Sequence, residues 1–291
     1  MKKLKIIDDK FYLYPVKKSE NIDEFSFVSK MDDEKKDYIF EYKQNDNLLS
    51  VAIEEYKKQK LNYKLPIMLG LNYDNEYQFA DLADLKHLIL AGQTCSGKSV
   101  FENAIIYTFL SLIPNNIKFL FSDVKRVELT PYTGIPQLIS KVIVEQKDFF
   151  IELEKLVEEK DRRLDSNEKY PYIIAVFDTI SDLVLYDRQQ FDSLMEELLI
   201  NAHKAKIHVI VSDSRPSSSV FTPTIMSLIP TKMCFATASI DDSQYIIHSD
   251  LAHYLYGKGD VLLLKQKTAQ PVRLQTPWIS DEEIEKLIHK V

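Results

Sequence analysis

From about residue 63 onward, short apolar runs alternate with longer segments whose apolar positions recur at helical spacing. The runs are HLILA (87–91), IKFLFSD (117–123), KVIVE (141–145), YIIAVFD (172–178), IHVIVSD (207–213) and TKMCFATA (231–238). Strands that are apolar along their whole length are those buried on both faces, so with helices between them they predict a mostly parallel sheet. Helices are predicted over about 98–112, 147–165 and 188–205. LPIMLG, ending on Gly70, reads as a further strand, and DVLLLKQ and PVRLQTP flank a polar turn as a C-terminal hairpin on the same sheet. SDEEIEKLIHKV then opens a helix, with Ser280 as N-cap and Glu283 completing a capping box. The fold class predicted is α/β.

Residues 1–62 have a different texture, rich in Lys, Asp, Glu and Tyr. Two strand-like pieces, FYLYPV and DYIFEYK, precede a helical pattern, NLLSVAIEEYKKQK. The chain is therefore divided into a small N-terminal α+β segment (1–62) and a larger α/β domain (63–291).

Composition narrows the function. The 291 residues carry a net charge of -7, which repels nucleic-acid phosphates, so any DNA contact has to be local. The two cysteines, Cys95 and Cys234, stand in no metal-type or paired spacing, and the histidines form no metal cluster with them. No apolar run reaches the roughly 18 residues of a membrane helix, so the chain is expected to be soluble and cytoplasmic, with membrane attachment only through a partner. Glycine is scarce, six in all, and each falls at a turn.

The strongest chemical signal is Gly92-Gln93-Thr94-Cys95-Ser96-Gly97-Lys98-Ser99, which satisfies G-x-x-x-x-G-K-[ST] between an apolar run and a helix. A triphosphate needs inward-turned backbone N–H groups, a helix N-terminus, a lysine for the β/γ oxygens and a hydroxyl for Mg²⁺. This segment supplies them, so ATP and Mg²⁺ are the expected cofactors, with Ser99 on the metal. Cys95 reads as a tolerated small side chain of the loop. Asp178 ends YIIAVFD, where a second Mg²⁺-supporting acid is wanted. The next residue is Thr179, whose hydroxyl orients water but accepts no proton near neutral pH.

FSDVKRVELTPYTGIPQLI (121–139) resembles the motor domain of the FtsK/SpoIIIE DNA translocases, and the likeness continues through EEKDRRL (158–164), RPSSSVFTPTIMSLIPTK (215–232), GKGDVLLL (257–264) and PVRLQTPWISDEEIEKLI (271–288). The resemblance implies a RecA-like P-loop NTPase core that assembles as a homo-oligomeric ring, usually a hexamer, around double-stranded DNA and moves it by ATP hydrolysis. It places triphosphate and Mg²⁺ on Lys98 and Ser99, metal support on Asp178, and a catalytic role on Arg215. Three positions depart from that pattern. Thr179 stands for the Walker B glutamate, Ser214 for the sensor glutamine, and Gln244 for the arginine of Asp-Ser-Arg. Asp178, Thr179, Ser214 and Arg215 are thus the expected catalytic set. Asp213, Asp182 or Glu128 are alternative carboxylates for orienting water.

The leading expectation is a DNA-translocating ATPase with weakened hydrolysis, acting in chromosome or plasmid segregation or transfer. A hydrolysis-impaired ATP-binding ring subunit is the second, and a related secretion or conjugation ring ATPase the third. Arg162 and Arg163 read as a solvated helix face or a pair across a ring interface.

Overall fold

The computed structural model describes residues 48–290 apart from residues 73, 267 and 269. FYLYPV and DYIFEYK, expected as strands, lie outside the described residues. The first helix, α1 (Leu49–Gln59), starts at the edge of that range, and its apolar positions Leu49, Ala52, Ile53 and Tyr56 are all buried in the same core cluster as the first strand. A left-handed Lys60 ends it.

β1 (Pro66–Leu71) and β2 (Tyr77–Asp81) form an antiparallel pair, followed by the single turn α2 (Leu82–Leu85) and by β3 (Leu88–Ala91). α3 (Lys98–Leu112) leads to β4 (Ile117–Asp123), and α4 (Gln146–Leu164) to β5 (Tyr172–Asp178). The helices α5 (Ile180–Tyr186) and α6 (Arg188–Leu199) precede β6 (Ile207–Asp213). Then come α7 (Pro223–Leu228), β7 (Thr231–Phe235), α8 (Ile240–Ile247), the antiparallel pair β8 (Asp260–Leu264) and β9 (Val272–Gln275), and α9 (Asp281–Ile288) with its capping box.

Among the described residues, all nine strands join one sheet in the order β2-β1-β9-β8-β7-β3-β6-β5-β4. The part from β7 to β4 is parallel throughout, and the part from β2 to β8 is antiparallel. Each face carries its own apolar core. α4, α6 and α8 cover one side around Phe149, Phe177 and Phe191, while α1, α3 and α9 cover the other around Phe101, Phe109 and Phe119. β3, β5 and β6 are buried at every position, which is why they read as unbroken apolar runs.

Two predicted elements change. KVIVE is not a strand. Residues 137–143 run alongside β4 as a strap, joined to it by the bridges Phe119–Leu138 and Ser122–Ile143. Backbone N–H groups of Phe119 and Asp123 donate to Gln137 and Ile143, with return bonds from Ile139 and Ile143. The strap satisfies the free edge of β4 without adding a regular strand. The helix expected over 188–205 stops at Leu199, because Asn201 turns into the left-handed region and a short 3₁₀ segment (Ala202–Ala205) redirects the chain into β6. β2 and α5 were not anticipated from the pattern.

Arg163 is not on a solvated face. Its side chain is buried, donating to Glu159 and to the carbonyls of Pro171 and Ala205, so it ties α4 to the strand entrances inside one subunit. Arg162 clasps Glu159 and the Tyr170 hydroxyl.

Candidate functional site

The parallel strands deliver three carboxylates to one edge of the sheet. β4, β5 and β6 end on Asp123, Asp178 and Asp213, with Asp123 in register with Asp178 and Asp213 in register with Ala91 at the end of β3. β3 lies between β6 and β7, so the chain leaves it at the point where the strand order reverses, the usual ligand position in an open α/β sheet. The 92–99 loop emerges there.

The loop is held by backbone contacts that exclude side chains. Gly97 sits at φ 107, and a Cβ on it would come within 2.3 Å of the Gly259 nitrogen. The Gly259 N–H donates to the Ser96 carbonyl at 2.9 Å, which locks the loop against the turn before β8. The Lys98 ammonium folds back onto the loop, donating to the carbonyls of Gly92 at 2.5 Å and Gln93 at 3.0 Å. Burial pushes its pKa down, while Asp178 and Asp213 pull the other way.

A cavity of about 940 Å³ opens over this loop. Of the expected phosphate-binding residues, Thr94, Cys95, Gly97, Lys98 and Ser99 line it, Gly92 and Gln93 hold the lysine, and Ser96 is buried behind the loop. Of the expected catalytic set, Asp178, Thr179 and Ser214 line the cavity; Arg215 is exposed and outside the lining, its backbone N–H bonded to Asp213. Gln244 is exposed on α8.

Asp178 accepts from the Ser212 hydroxyl and, at 3.1 Å, from the Thr179 hydroxyl. Burial raises its pKa against both bonds. Thr179 caps α5 at φ 53 and ψ 62, a left-handed conformation unusual for a β-branched residue and typical of strained functional positions.

The three alternative carboxylates separate clearly. Asp213 is committed to the backbone N–H groups of Ser181, at 2.7 Å, and Arg215, at 2.8 Å. Asp182 sits in the first turn of α5 outside the cavity lining. Glu128 lines the cavity beside Val127 and Lys125, near the Ser99 side chain, which lines it too. Burial raises its pKa, and the neighbouring Asp178 and Asp123 add to that.

Glu128 is placed by Asp123. The Asp123 carboxylate accepts from the backbone N–H groups of Val127 (3.1 Å), Leu129 (2.8 Å) and Thr130 (2.8 Å) and from the Thr130 hydroxyl (2.9 Å). Burial alone would raise its pKa, but these donors hold it below the ordinary range. The KRVELT stretch is thus a loop wrapped around one aspartate, and its outward product is the pair Lys125 and Glu128.

Sequence reasoning missed a second layer. Glu102, on α3 four residues after Lys98, is 1% exposed, lies beside Asp178 and Ser212, and has one carboxyl oxygen without a partner. Burial raises its pKa well above normal. Its position one helical turn from the loop lysine was the available signal. Lys258 and the Gln275–Trp278 segment also line the cavity unannounced.

The donors suit a hard cation held jointly with phosphate. No group of three or more His, Cys, Asp or Glu side chains among the described residues makes a metal cage. A Ser hydroxyl and one or two carboxylates, leaving room for phosphate oxygens and water, is the set Mg²⁺ uses. Ser99 and Asp178 provide that set, and Glu128 lines the same cavity.

Among known proteins, residues 48–166 match the model of the FtsK/SpoIIIE family. The chain is 34% identical over 256 residues to DNA translocase FtsK of Mycobacterium tuberculosis, an alignment covering 77% of this chain and 31% of that protein. It is 34% identical over 278 residues to DNA translocase SpoIIIE of Bacillus subtilis, covering 85% and 35% respectively. The chain therefore spans about a third of the length of these relatives. In fold it is similar to the pCW3 conjugation coupling protein TcpA, solved as a monomer with ATPγS, with a TM-score of 0.68, 20% identity, and coverage of 92% of this chain and 82% of that one. No helix among the described residues is long and apolar enough to cross a membrane. With the strand order, the loop and the sequence alignments in agreement, this chain carries an α/β P-loop domain of the FtsK/SpoIIIE family.

Proposed function

We propose that the domain binds MgATP in the 940 Å³ cavity and hydrolyses it to move double-stranded DNA, as part of a homo-oligomeric ring. The observation that carries the nucleotide reading is the convergence of Lys98, Ser99, Asp178 and Glu128 on one cavity over a glycine-locked loop. The DNA reading rests on the relatives named DNA translocases.

In this reading the loop N–H groups and the α3 N-terminus hold the phosphates. Lys98 is free to exchange the Gly92 and Gln93 carbonyls for phosphate oxygens, and Ser99 and Asp178 would hold Mg²⁺, which would supply charge neutralisation. Thr179 and Glu128 face the same space, so we assign the orientation of the attacking water to Glu128, with Thr179 as a secondary donor. Phosphoryl transfer depends mainly on positioning and charge, so a carboxylate arriving from β4 instead of β5 can serve. Gln244 and Arg215 are exposed and neither lines the cavity, so in this reading they act, if at all, toward a neighbouring subunit.

The test is MgATP hydrolysis by the purified chain with and without linear duplex DNA. Duplex-stimulated turnover is expected. MgATP binding without turnover in either condition rejects the motor and leaves the hydrolysis-impaired ring subunit. That second reading is favoured by the replacement of carboxylate by hydroxyl at Thr179 and the absence of a positive charge at Gln244. DNA-independent turnover instead supports a secretion-type or conjugation-type ATPase.

A further inference from the structure

Among the buried residues of α3, only Glu102 is ionisable. It is 1% exposed, does not line the cavity, and leaves its Oε1 atom without a hydrogen-bond partner. A buried polar atom left in that state is unfavourable, and native structures keep few of them. Nothing in the nucleotide chemistry above uses this carboxyl.

The alternation of the sheet shows what Glu102 faces. Val176 on β5 and Ile210 on β6 belong to the core under α3, so Asp178 and Ser212, two residues further along each strand, turn to that same face. Ser212 is also 1% exposed, and its hydroxyl donates to Oδ1 of Asp178. The Thr179 hydroxyl donates to Oδ2 at 3.1 Å. Each oxygen of the Asp178 carboxylate therefore carries one hydroxyl, and the two together fix the plane of the group. Of these donors, Ser212 is the one that Glu102 lies beside.

A serine hydroxyl has one proton to give and lone pairs with which to accept. The Ser212 proton is spent on Asp178, so Ser212 can meet Glu102 only as an acceptor. An ionised Glu102 has no proton to offer and would compete with Asp178 for the one on Ser212. A neutral Glu102 has a proton on one oxygen. Its surroundings favour that form: burial first, then the negative charges of Asp178 and Glu128, push its pKa well up. The unpartnered Oε1 is then the carbonyl oxygen of a neutral acid, which tolerates burial far better than half of a carboxylate does.

We infer that Glu102 is a positioning residue for Asp178, its carboxyl O–H donating to the Ser212 oxygen so that the Ser212 proton stays on Asp178. The chain Glu102–Ser212–Asp178 runs one way, from a buried layer under α3 to the carboxylate that lines the cavity. An outer group that orients a metal-facing carboxylate supports affinity for the ion without touching it. An amide offers an equivalent N–H donor, so the role needs no change of charge at position 102. The inference rests on the MgATP reading of the cavity.

The full chain is titrated with ATPγS by calorimetry, once with excess Mg²⁺ and once with EDTA, and the ratio of the two affinities is the gain due to the ion. Glu102→Leu, which keeps the bulk without a donor, should cut that gain about tenfold or more, the effect of a lost outer-shell partner, and leave the affinity in EDTA unaltered. Ser212→Ala should cut the gain by a similar factor. Glu102→Leu in the Ser212→Ala background should add little to it, because both substitutions break one chain. Glu102→Gln should restore the gain, and melting curves check that each variant folds. A native gain in Glu102→Leu or in Ser212→Ala overturns the inference. So does an equal loss with Mg²⁺ and with EDTA, full additivity of the two substitutions, or a loss in Glu102→Gln as large as in Glu102→Leu. If Glu102→Leu does not fold, Ser212→Ala and Glu102→Gln decide: a loss in the first and none in the second is expected, and any other pattern overturns the inference. A native chain that binds ATPγS no tighter with Mg²⁺ than with EDTA, or not at all, refutes the MgATP reading itself, and the inference falls with it.

Discussion

Glu128→Gln tests the site's central assignment. The cavity-lining residues include two acids, Asp178 and Glu128, and Asp178 is already engaged by the Ser212 and Thr179 hydroxyls. An amide at 128 keeps the shape but removes the charge that holds and polarises water. Loss of a general base or water-orienting carboxylate costs about 10² to 10⁴ in rate, equivalent to about 3 to 5 kcal/mol of barrier. The fold itself should not suffer. Burial already disfavours the ionised Glu128 side chain, so a neutral amide at pH 8 removes a penalty and thermal stability should hold or rise. MgATP affinity should be equal or tighter, because a negative charge near the triphosphate is gone. The assay is steady-state hydrolysis at saturating MgATP with duplex DNA, alongside calorimetric binding and thermal melting. A companion variant, Glu128→Gln with Thr179→Glu, should regain at least part of the rate. The left-handed φ of 53 at position 179 is harder on threonine than on an unbranched glutamate, so the backbone accepts the change. Turnover by Glu128→Gln within about threefold of the native rate, far short of the 10² expected of a lost base, would refute the assignment.

Three further outcomes are expected. Lys98→Ala should abolish MgATP and tripolyphosphate binding, measured by calorimetry, without lowering thermal stability, since Lys98 contributes only contacts to its own loop carbonyls and is disfavoured as a buried cation. Gly97→Ala should destabilise the chain by about 1–3 kcal/mol in denaturant melts and eliminate nucleotide binding, because the new Cβ meets the Gly259 backbone at 2.3 Å and φ is 107. Acid should weaken the fold through His87 and His208. Burial and the neighbouring imidazole and lysine charges hold His87 down to about 3, and burial, against a bond to the Lys86 carbonyl, brings His208 down to about 4. Both native values lie below the unfolded value of about 6.5, so the unfolded chain takes up protons first as pH falls, and stability is lost from about pH 6.5 down toward 4. At pH 5 the loss is about 2 kcal/mol per ring. Glu102, Glu128 and Asp178, whose pKa values are raised, act in the opposite direction, so the measure is the difference between native and His208→Gln melts across pH. A difference that stays constant from pH 7 to 5 contradicts the assignment.

Much of the fold was legible because burial on both faces writes itself as unbroken apolar runs. β4, β5 and β6 coincide with IKFLFSD, YIIAVFD and IHVIVSD, and the aspartate ending each run marks the functional edge of the sheet. KVIVE misled for a physical reason: Val142 and Ile143 are buried as a β-branched strand would be, but the segment is a strap with isolated bridges to the β4 edge. Periodicity measures burial and does not distinguish a ladder from a strap. The phosphate loop was legible because its backbone demands, glycines at positive φ next to a helix start, restrict the residue types that fit.

The rest of the site depends on which strand ends meet, and that information lies in the strand order. Three carboxylates were equally eligible for the role vacated at Thr179. The fold separates them by occupation: Asp213 is consumed by two backbone donors, Asp182 stands outside the cavity, and Glu128 alone is presented to it on a loop that Asp123 organises. Glu102 carries the lesson further. Its helix reads as amphipathic, and a carboxylate on the buried side contradicts that reading unless the buried side is itself polar at that level. Here it is, because α3 starts at the phosphate loop and its first inward turn faces Asp178 and Ser212 before later turns meet the phenylalanine core. An acid one turn after the loop lysine, on the same helix face, is thus the sequence mark of a buried polar layer behind Asp178, held as neutral carboxyl by its surroundings.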